Sequence, residues 1–458
     1  MTDAMTLKEK DLANPKERGN YAIVVVGCGR MGLPTACLFS DAGFKVACLD
    51  TDPYVVSQIN KGTSPFFEHG LNQLLKKNLR EGRVSATTDP KEAVTKSNIV
   101  ILTVNTPPDD KKQPDYSSLE GSCKNIGLNI KRGTLLIVEC TVGPTVTETL
   151  IKQTLEASSG LKAGVDFGLA YSPIRATVGK TIEDMTEYAR IVAGINRQSL
   201  TAAKAVLKTV TKGEIVEITS LKTAEAANLF ENVYRYVNIS LANEFAQFCE
   251  LAGINYFQAL KAANTQPHCH LLKPGIVGGS IPKDLFLLTS EAEDLGVKLK
   301  MTAMAEKIND DMLKHAYNLV KGALRGCDKP VRRSRIVVLG ASYRPNVKEA
   351  RGSLVPEIVK LLKRMGARVS VFDPYFTYKE LRDLGYTTEP TLEKLVEGAD
   401  CLLIAVGHNR FKHLALGKLG VLMRKPSALV DIAHVISPSL VISEGFVYRS
   451  LGIGASKT

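Results

Sequence analysis

The chain has 458 residues, a formal net charge of +12, and a composition that is 44% hydrophobic and 23% charged. These proportions are typical of a soluble protein with enough apolar material for two to three domains, and no apolar run reaches the length of a membrane span. The basic residues are spread along the chain, and the seven histidines and nine cysteines form no ligand-pair motif, so neither nucleic-acid binding nor a metal site is indicated.

The first twenty residues are polar and contain no hydrophobic segment of a secretion signal. We predict that residues 1–20 form a flexible tail. The cysteines are odd in number and lack a C-x-x-C pair, which is typical of a protein from a reducing compartment. The sequence therefore predicts a cytoplasmic protein without structural disulfides.

A glycine-rich turn follows the first predicted strand. The β-branched run Tyr21–Val26 is typical of a strand buried on both faces, and it ends at a G-x-G-x-x-G turn made by Gly27, Gly29 and Gly32. A helical segment and a second buried strand then lead to Asp50. Strand, turn, helix, strand and acid occur in the order of a dinucleotide-binding βαβ unit.

Each part of this unit has a role toward a dinucleotide. Gly27 permits the tight turn, Gly29 lets a pyrophosphate approach the backbone, and Gly32 lets the helix pack close to the strand. The N-terminus of the helix attracts the phosphate charge. Asp50 can hold both ribose hydroxyls and would repel a 2′-phosphate, so the sequence predicts NAD rather than NADP.

Strands continue to alternate with helices, which predicts a parallel, doubly wound sheet with ligands at the carboxyl ends of its strands. Thr106 follows the buried strand 98–104, and Thr141 follows the strand 134–139. Either threonine could be a turn former or a helix cap. Because two of them lie in register on one sheet, we favour contact with a ligand.

The segment Lys222–Leu251 contains no glycine or proline and predicts one long helix, which would link two domains or pack against a partner chain. Asn228, Asn232 and Arg235 are spaced i, i+4, i+7 and share one face of this helix. Polar stripes usually face solvent, but asparagine is a poor helix former. A ligand-facing and a solvent-facing stripe are therefore both open.

From about Arg335 the strand-and-helix alternation is repeated without a second G-x-G-x-x-G, so this region is expected to bind a different phosphate-bearing group. The predicted fold is an α/β protein with two Rossmann-like, doubly wound parallel-sheet domains joined by a long central helix.

Short motifs along nearly the whole chain, from about Tyr21 to Arg449, point to one family. They are Gly27–Pro34, Asn105–Pro107, Glu139–Val142, Tyr171–Pro173, Glu225–Ala227, Glu231–Asn232, Arg235–Ile239, Ala242–Glu244, Ala263–Thr265, Lys273–Gly275, Gly278–Gly279, Ile281–Asp284, Arg344–Asn346 and Arg351. With these motifs the chain resembles the UDP-glucose/GDP-mannose dehydrogenase family, and most of all its branch acting on UDP-N-acetylmannosamine.

The resemblance implies a NAD-binding domain at 21–205, a central helical and dimerisation region at 206–325, and a UDP-sugar-binding domain at 326–458. It also implies two successive oxidations of a C6 alcohol. In the family, a loop cysteine traps the aldehyde and a lysine on the long helix stabilises oxyanions. A glutamate after the Ser-Pro pair assists thioester hydrolysis, and the aspartate of the loop helps to activate water.

Four positions depart from the family pattern, whereas Asp284 and Thr141 are retained. At the cysteine position the loop has an isoleucine, with Ser280 beside it. Asn228 stands in place of the lysine, Ile174 in place of the glutamate, and His268 in place of an interface arginine. A serine needs a positioned base to act as a nucleophile, and asparagine carries no positive charge. The lost cysteine, lysine and glutamate all serve the conversion of aldehyde to acid, so we expect that half of the reaction to be altered.

The predicted site residues form three groups, and no metal is predicted. The catalytic group is Asp284, Asn228, Asn232, Thr141 and Ser280. The NAD-binding group is Gly27, Gly29, Arg30, Met31, Gly32, Asp50, Thr106, Thr141 and Arg351. The group that binds the UDP-sugar is Arg235, Lys273, Gly278, Gly279 and Arg344.

The long helix and the resemblance predict a homodimer. Three functional hypotheses remain open. The first is NAD-dependent oxidation of a UDP-N-acetylhexosamine alcohol that ends at the aldehyde, with Asp284, Asn232 and a water handling the proton and Asn228 polarising the alkoxide. The second is a NAD- and nucleotide-sugar-binding paralogue without catalysis. The third is full four-electron oxidation to a uronate. The altered residues favour the first.

Overall fold

The structure of the chain, a computed structural model, describes residues 7, 9–109, 111–279 and 281–454, without the side chain of Glu9. The chain divides into two compact units. Unit 1 contains the chain up to Asn232 together with Lys283–Lys298, and unit 2 contains Val233–Pro282 together with the chain from Leu299 onward. Over the described residues, no helix is both long and apolar enough to cross a bilayer.

Unit 1 is built on an eight-stranded sheet with the order β3-β2-β1-β4-β5-β6-β7-β8. Its strands are β1 (Ala22–Val26), β2 (Lys45–Leu49), β3 (Val84–Thr87), β4 (Ile99–Leu102), β5 (Leu135–Val138), β6 (Gly168–Tyr171), β7 (Arg190–Gly194) and β8 (Ile215–Ile218). The order of the first six strands is that of a dinucleotide-binding fold, in which the strand order reverses between β1 and β4. The sheet departs from the predicted all-parallel arrangement at one place, because β7 pairs antiparallel with β6.

Helices cover both faces of this sheet. They are α1 (Glu9–Ala13), α2 (Pro15–Arg18), α3 (Gly32–Asp41), α4 (Pro53–Asn60), α5 (Leu71–Arg80), α6 (Pro90–Thr95), α7 (Ser117–Gly127), α8 (Lys152–Ser159), α9 (Thr181–Glu187) and α10 (Arg197–Lys208), with a π-helical turn at Thr147–Ile151. Along β1, Ile23 and Val25 pack into one core cluster, and Val24 and Val26 pack into another. Alternate residues of a strand point to opposite faces, so β1 is buried on both sides, as its sequence predicts.

The flexible tail predicted for residues 1–20 needs correction over its second half. Helices α1 and α2 occupy most of residues 9–18, and Leu12 lies in the core of unit 1. Arg18 Nη1 donates a hydrogen bond to the carbonyl oxygen of Ala42 at 2.9 Å, and the Tyr21 hydroxyl donates to Asp11 Oδ2 at 2.8 Å. The burial of Leu12 and these hydrogen bonds hold a segment in place whose composition alone indicated a flexible tail.

Two helices contain residues of both units. Helix α11 (Leu221–Ala252) is 32 residues long, as the run without glycine or proline predicted. It belongs to unit 1 as far as Asn232 and to unit 2 from Val233. Helix α13 (Ile281–Asp294) belongs to unit 1 from Lys283 onward.

Unit 2 has a five-stranded, fully parallel sheet with the order β10-β9-β11-β12-β13. Its strands are β9 (Arg335–Leu339), β10 (Arg368–Phe372), β11 (Cys401–Ile404), β12 (Ser427–Asp431) and β13 (Phe446–Ser450). Its helices are α12 (Tyr256–Ala263), α14 (Lys300–Arg325), α15 (Val355–Arg364), α16 (Tyr378–Asp383), α17 (Leu392–Val396), α18 (Leu416–Leu422) and α19 (Pro438–Ser443), with a 3₁₀ turn at Asn409–His413. The predicted fold class, two Rossmann-like α/β domains with a long helix, is confirmed.

Candidate active site

The glycine-rich turn after β1 lies where the strand order reverses. Gly27 has φ +89°, a conformation that side chains rarely adopt, and its carbonyl oxygen accepts a hydrogen bond from Thr103 Oγ1 at 2.7 Å. A Cβ atom on Gly32 would lie 1.9 Å from the Gly27 carbonyl oxygen, so a side chain there would force the helix away from the strand. A Cβ atom on Gly29 would meet nothing within 4 Å. The turn is closed toward the protein and open at Gly29, where a phosphate can approach the backbone.

Asp50, directly after β2, is held beside this turn. Its Oδ2 accepts a hydrogen bond from the Cys28 amide at 2.7 Å, and its Oδ1 accepts one from the Asp52 amide at 2.9 Å. Asp52 in turn caps helix α4, since its side chain accepts from the Tyr54 amide. The carboxylate at the end of β2 is thus oriented by backbone donors, in the position where a ribose would be held.

The other two predicted residues of the turn have defined places. The guanidinium of Arg30 lies 5.2 Å from the ring centroid of Phe66. Met31 is the N-terminal cap residue of α3, and its carbonyl oxygen accepts from Thr35 Oγ1 at 2.9 Å. Both therefore border the N-terminus of the helix that follows the glycines.

A second polar group forms at the ends of β4 and β5, which are neighbours in the sheet. Thr106 Oγ1 donates a hydrogen bond to the carbonyl oxygen of Thr141 at 2.7 Å. Lys283 Nζ donates to Thr106 Oγ1 at 3.1 Å. The two threonines that the sequence placed at strand ends are thus joined to each other and to a cation.

Helix α11 adds two asparagines to the same group. Asn228, whose exposed fraction is only 3%, donates from Nδ2 to Thr141 Oγ1 at 3.4 Å. Asn232 donates from Nδ2 to Asp284 Oδ2 at 2.8 Å. These two members of the predicted stripe face a buried polar group, so the solvent-facing interpretation is wrong for them. Arg235, the third member, is exposed and belongs to unit 2.

Asp284, in the first turn of α13, is the acid of this group and is 4% exposed. Its Oδ1 is buried without a hydrogen-bond partner among the described residues, and the nearest charge is Lys283 Nζ at 3.6 Å. Burial raises the pKa of Asp284 to about 6, although the charge of Lys283 and the hydrogen bond from Asn232 act in the opposite direction. A carboxylate of this kind is ionised at neutral pH and can still accept a proton.

We call Thr106, Thr141, Asn228, Asn232, Lys283 and Asp284 the polar cluster. Sequence reasoning assigned five of these residues to the site and missed Lys283. The available signal was its position directly before Asp284 in the motif Ile281–Asp284.

No thiol of unit 1 is positioned as a nucleophile among the described residues. Cys140, at the end of β5, is buried, and its Sγ donates to the carbonyl oxygen of Leu102 at 3.2 Å. Burial raises the pKa of the Cys140 thiol to about 12, so it carries no thiolate at neutral pH. Ser280, predicted as catalytic, lies outside the described residues.

Unit 2 contains a cavity of about 490 Å³ at the carboxyl ends of β9, β11 and β12. Three cationic side chains, Lys273, Arg344 and Lys412, contribute to its lining. The remaining lining is largely apolar, including Leu354 and Ile432. Pockets at this end of a parallel sheet are the usual nucleotide sites of such folds, and the cations suit a diphosphate.

The predicted glycines form one wall of this cavity. A Cβ atom on Gly278 would lie 2.5 Å from the Gly352 carbonyl oxygen, and the Gly279 amide donates to that oxygen at 3.1 Å. The loop before α13 is thus held against the loop before α15. Arg351, predicted to bind cofactor, belongs to this second loop, where its side chain is 81% exposed and pairs with Glu349 at 3.2 Å.

Among the described residues, no three or more histidine, cysteine, aspartate or glutamate side chains lie together as a metal site would require. The candidate functional residues fall into three features. Unit 2 contains the cavity with its cationic lining, and unit 1 contains the glycine-rich turn and the polar cluster.

Family models match three successive parts of the chain. They describe the NAD binding domain (residues 21–212), the central domain (222–311) and the UDP binding domain (337–438) of the UDP-glucose/GDP-mannose dehydrogenase family. The residues of the polar cluster and of the cavity lining therefore all lie within the matched ranges.

The chain is similar to other dehydrogenases over nearly their full length. The chain is 35% identical over 437 residues to the UDP-N-acetyl-D-mannosamine dehydrogenase of Pyrococcus horikoshii, covering 94% of this chain and 99% of that protein. The solved structure of UDP-D-ManNAc dehydrogenase from Pyrococcus horikoshii has a TM-score of 0.86 at 33% identity, covering 94% of this chain and 99% of the other. That of NDP-N-acetyl-D-galactosaminuronic acid dehydrogenase from Methanosarcina mazei Go1 has a TM-score of 0.79 at 31% identity, with 98% of each chain covered.

Proposed function

The chain belongs to the UDP-glucose/GDP-mannose dehydrogenase family, and on this premise we propose that it oxidises one alcohol group of a UDP-N-acetylhexosamine and that the reaction ends at the carbonyl. As a member of this family it is an NAD-dependent oxidoreductase acting on CH–OH groups. The resemblance makes C6 the expected position, which would give an aldehyde.

One observation carries the proposal: Oδ1 of Asp284 is buried within the polar cluster, has no hydrogen-bond partner among the described residues, and lies 3.6 Å from Lys283 Nζ. Bound NAD supplies the acceptor for the hydride that leaves the alcohol carbon. Asp284 takes the hydroxyl proton, so that the alcohol becomes a carbonyl, one hydride and one proton. Asn232 holds the carboxylate in place, and Asn228 donates a hydrogen bond to the oxygen as it becomes an alkoxide.

The residues that the family uses for the second oxidation, from aldehyde to acid, are altered in this chain. An aldehyde is oxidised further once a nucleophile has added to its carbonyl carbon, and in the family this is a cysteine. Cys140 is a buried thiol whose pKa lies near 12, and Ile174 cannot direct a water. This supports release of the carbonyl compound after one hydride transfer.

The UDP end of the substrate is assigned to the cavity of unit 2. Lys273, Arg344 and Lys412 carry the positive charge that a diphosphate requires, and the apolar lining suits the faces of a nucleobase. The family model of the UDP binding domain covers residues 337–438, which include most of this lining.

We also propose that the protein is a homodimer. The second half of α11 presents large apolar side chains to solvent at Tyr234, Leu241, Phe245, Phe248 and Leu251. Their spacing places them along one side of the helix, and a continuous exposed apolar stripe is typical of a protein interface. We assign a second copy of this chain to that stripe, which we call the α11 stripe.

The decisive test counts the NADH formed per sugar consumed in a panel of UDP-hexoses and UDP-N-acetylhexosamines. Hydroxylamine present in the assay traps a carbonyl product as its oxime, and mass spectrometry identifies the oxidised sugar. One NADH per sugar and an oxime support the proposal. Two NADH and a uronate would establish the four-electron reaction instead. Binding of NAD and UDP-sugar without NADH would establish the non-catalytic alternative.

A further inference from the structure

We propose that the amino-terminal edge of the sheet in unit 2 docks on the surface of an anionic phospholipid membrane. Strands β9 and β10 are parallel and begin at this edge, whereas the cavity assigned to UDP lies at the carboxyl ends of β9, β11 and β12. Five exposed arginines collect at the edge, and we call them the basic edge. They are Arg332, Arg333, Arg335, Arg364 and Arg368. Docking through them is independent of the reaction that the protein catalyses.

The fold brings the basic edge together from two segments that are apart in the sequence. Arg335 and Arg368 are the first residues of β9 and β10 and are direct partners across the two strands. The Arg333 amide donates a hydrogen bond to the carbonyl oxygen of Gly366 at 2.8 Å. A Cβ atom on that glycine would lie 3.0 Å from Arg332 Cγ. The loop before β9 is therefore held against the turn between α15 and β10, and the arginines of both lie side by side.

The described part of unit 2 leaves this positive charge largely uncompensated. Among the described residues, no carboxylate lies within ion-pair distance of any of the five arginines. The buried Asp400, which accepts a hydrogen bond from the first amide of β9, pairs instead with Lys329 and Arg424. Two exposed acids, Asp328 and Glu397, remain nearby in the chain.

An uncompensated group of arginines indicates an anionic partner. Arg335 and Arg368 face each other across neighbouring strands, where like charges are unfavourable for folding. A surface that served only solubility would mix charges of both signs. The planar guanidinium group, in contrast, can donate two hydrogen bonds to the oxygens of one phosphate. Phosphate groups presented side by side therefore suit the basic edge.

Exposed apolar side chains beside the arginines favour a phospholipid surface. Met365, within the second segment, is 42% exposed, and Val421 on α18 is 82% exposed. Helix α18 reaches the edge because the carbonyl oxygen of its last residue, Leu422, accepts a hydrogen bond from the Gly398 amide at 2.8 Å. A Cβ atom on Gly398 would lie 3.0 Å from Arg335 Nη1. Cations next to apolar side chains fit the boundary between lipid headgroups and acyl chains.

Single-stranded nucleic acid fits the same surface less well. Proteins usually bind it with aromatic side chains on which the bases stack. The segments 325–335, 363–368 and 421–426 contain no aromatic residue. Attraction to an anionic membrane needs only several cations that act together at the headgroups, and no spanning helix.

The test measures co-sedimentation of the full-length protein with phosphatidylcholine vesicles, either pure or containing about 30% phosphatidylglycerol. We expect binding to the anionic vesicles only, and release when the salt concentration rises from about 0.1 M to about 1 M. Arg335→Gln combined with Arg368→Gln removes the two facing charges and should weaken binding to the anionic vesicles about tenfold or more. Lys379→Gln combined with Arg382→Gln is the matched control, because it removes two exposed cations of α16.

Unfolding and ligand binding separate a loss of docking from a loss of structure. The double arginine variant should keep the melting temperature of the wild type and its affinity for UDP within about threefold, since the substituted side chains are exposed and lie away from the cavity. Equal binding of anionic vesicles by the wild type and this variant would overturn the proposal, as would a wild type that binds neither kind of vesicle. Binding to duplex DNA but not to vesicles, lost in the variant, would assign a nucleic acid to the basic edge instead.

Discussion

Asn232 on helix α11 donates a hydrogen bond to one oxygen of Asp284 at 2.8 Å, while the other oxygen of the same carboxylate is buried without a hydrogen-bond partner within the described part of the chain and lies 3.6 Å from Lys283 Nζ. The hydrogen bond from Asn232 therefore fixes the orientation of the Asp284 carboxylate and leaves its Oδ1 to accept a proton. This arrangement needs two helices, α11 and α13, that are separate in the sequence.

The first prediction concerns the pH dependence of turnover. Burial raises the pKa of Asp284 to about 6, and a base acts only when ionised, so kcat/KM should fall about tenfold per pH unit below that value. Asn232→Leu removes a hydrogen bond that favours the ionised carboxylate, and its acid limb should move to higher pH. Initial rates of NADH formation between pH 5 and 9 measure both.

The matched variant for this experiment is Asp284→Asn, which keeps the shape of the side chain and removes the base. Its kcat should fall by roughly 10²- to 10⁴-fold while NAD binding persists. An acid limb at the same pH in the wild type and in Asn232→Leu would argue that a different group accepts the proton.

The second prediction separates ligand binding from folding within the glycine-rich turn. A methyl group on Gly29 would project into open space, so Gly29→Ala should leave the melting temperature nearly unchanged and weaken NAD binding about tenfold or more. A methyl group on Gly32 would lie 1.9 Å from the Gly27 carbonyl oxygen, so Gly32→Ala should cost about 1–3 kcal/mol of unfolding free energy or more. Thermal unfolding and NAD titration of both variants measure the contrast. Full NAD affinity in Gly29→Ala would place the pyrophosphate elsewhere.

The third prediction concerns the choice between NAD and NADP. Asp50 is oriented by two backbone amides and would repel a 2′-phosphate, so Asp50→Ser should weaken NAD binding about tenfold and reduce the preference for NAD over NADP. The ratio of kcat/KM for the two cofactors reports the change. Asp52→Asn is the control, because it removes a charge two residues away and asparagine still caps α4. An unchanged cofactor ratio in Asp50→Ser would mean that another residue meets the ribose.

The fourth prediction concerns the cavity of unit 2. Lys273→Ala and Arg344→Ala should each weaken the binding of UDP about tenfold, because each removes a charge-assisted contact to a diphosphate. The NAD affinity should stay the same, since the dinucleotide is assigned to unit 1. Titration calorimetry with UDP measures the loss, and Lys360→Ala, an exposed lysine on α15, is the control. If the two cavity variants bound UDP as the control does, the nucleotide would have to be sought outside this cavity.

The fifth prediction concerns the α11 stripe. Phe248→Asp places a charge within an apolar stripe, so the dimer should dissociate to monomers at micromolar concentration. Light scattering coupled to size-exclusion chromatography gives the mass. Val421→Asp alters an apolar residue on α18 that is even more exposed than Phe248 and lies outside the stripe, so it should leave the mass unchanged. A monomeric wild type, or a variant that keeps the mass of the wild type, would contradict the assignment.

The sequence by itself was sufficient for those features whose parts lie close together along the chain. The glycines at 27, 29 and 32, the strand before them and Asp50 after the next strand form one βαβ unit, and their spacing already requires the turn that the structure contains. The long helix was equally local, because thirty residues without glycine or proline meet no signal that would end it. The family followed from such local motifs as well.

The tertiary structure alone decided which polar side chains meet and which are shielded from water. Lys283 and Thr106 are 177 positions apart, and no local pattern relates them. The same holds for the docking of residues 9–18 through Leu12 and Arg18, and for the antiparallel strand β7. The physical reason is that backbone conformation and amphipathic period depend on near neighbours, whereas burial, hydrogen-bond partners and the pKa of Asp284 depend on groups brought together only when the chain folds.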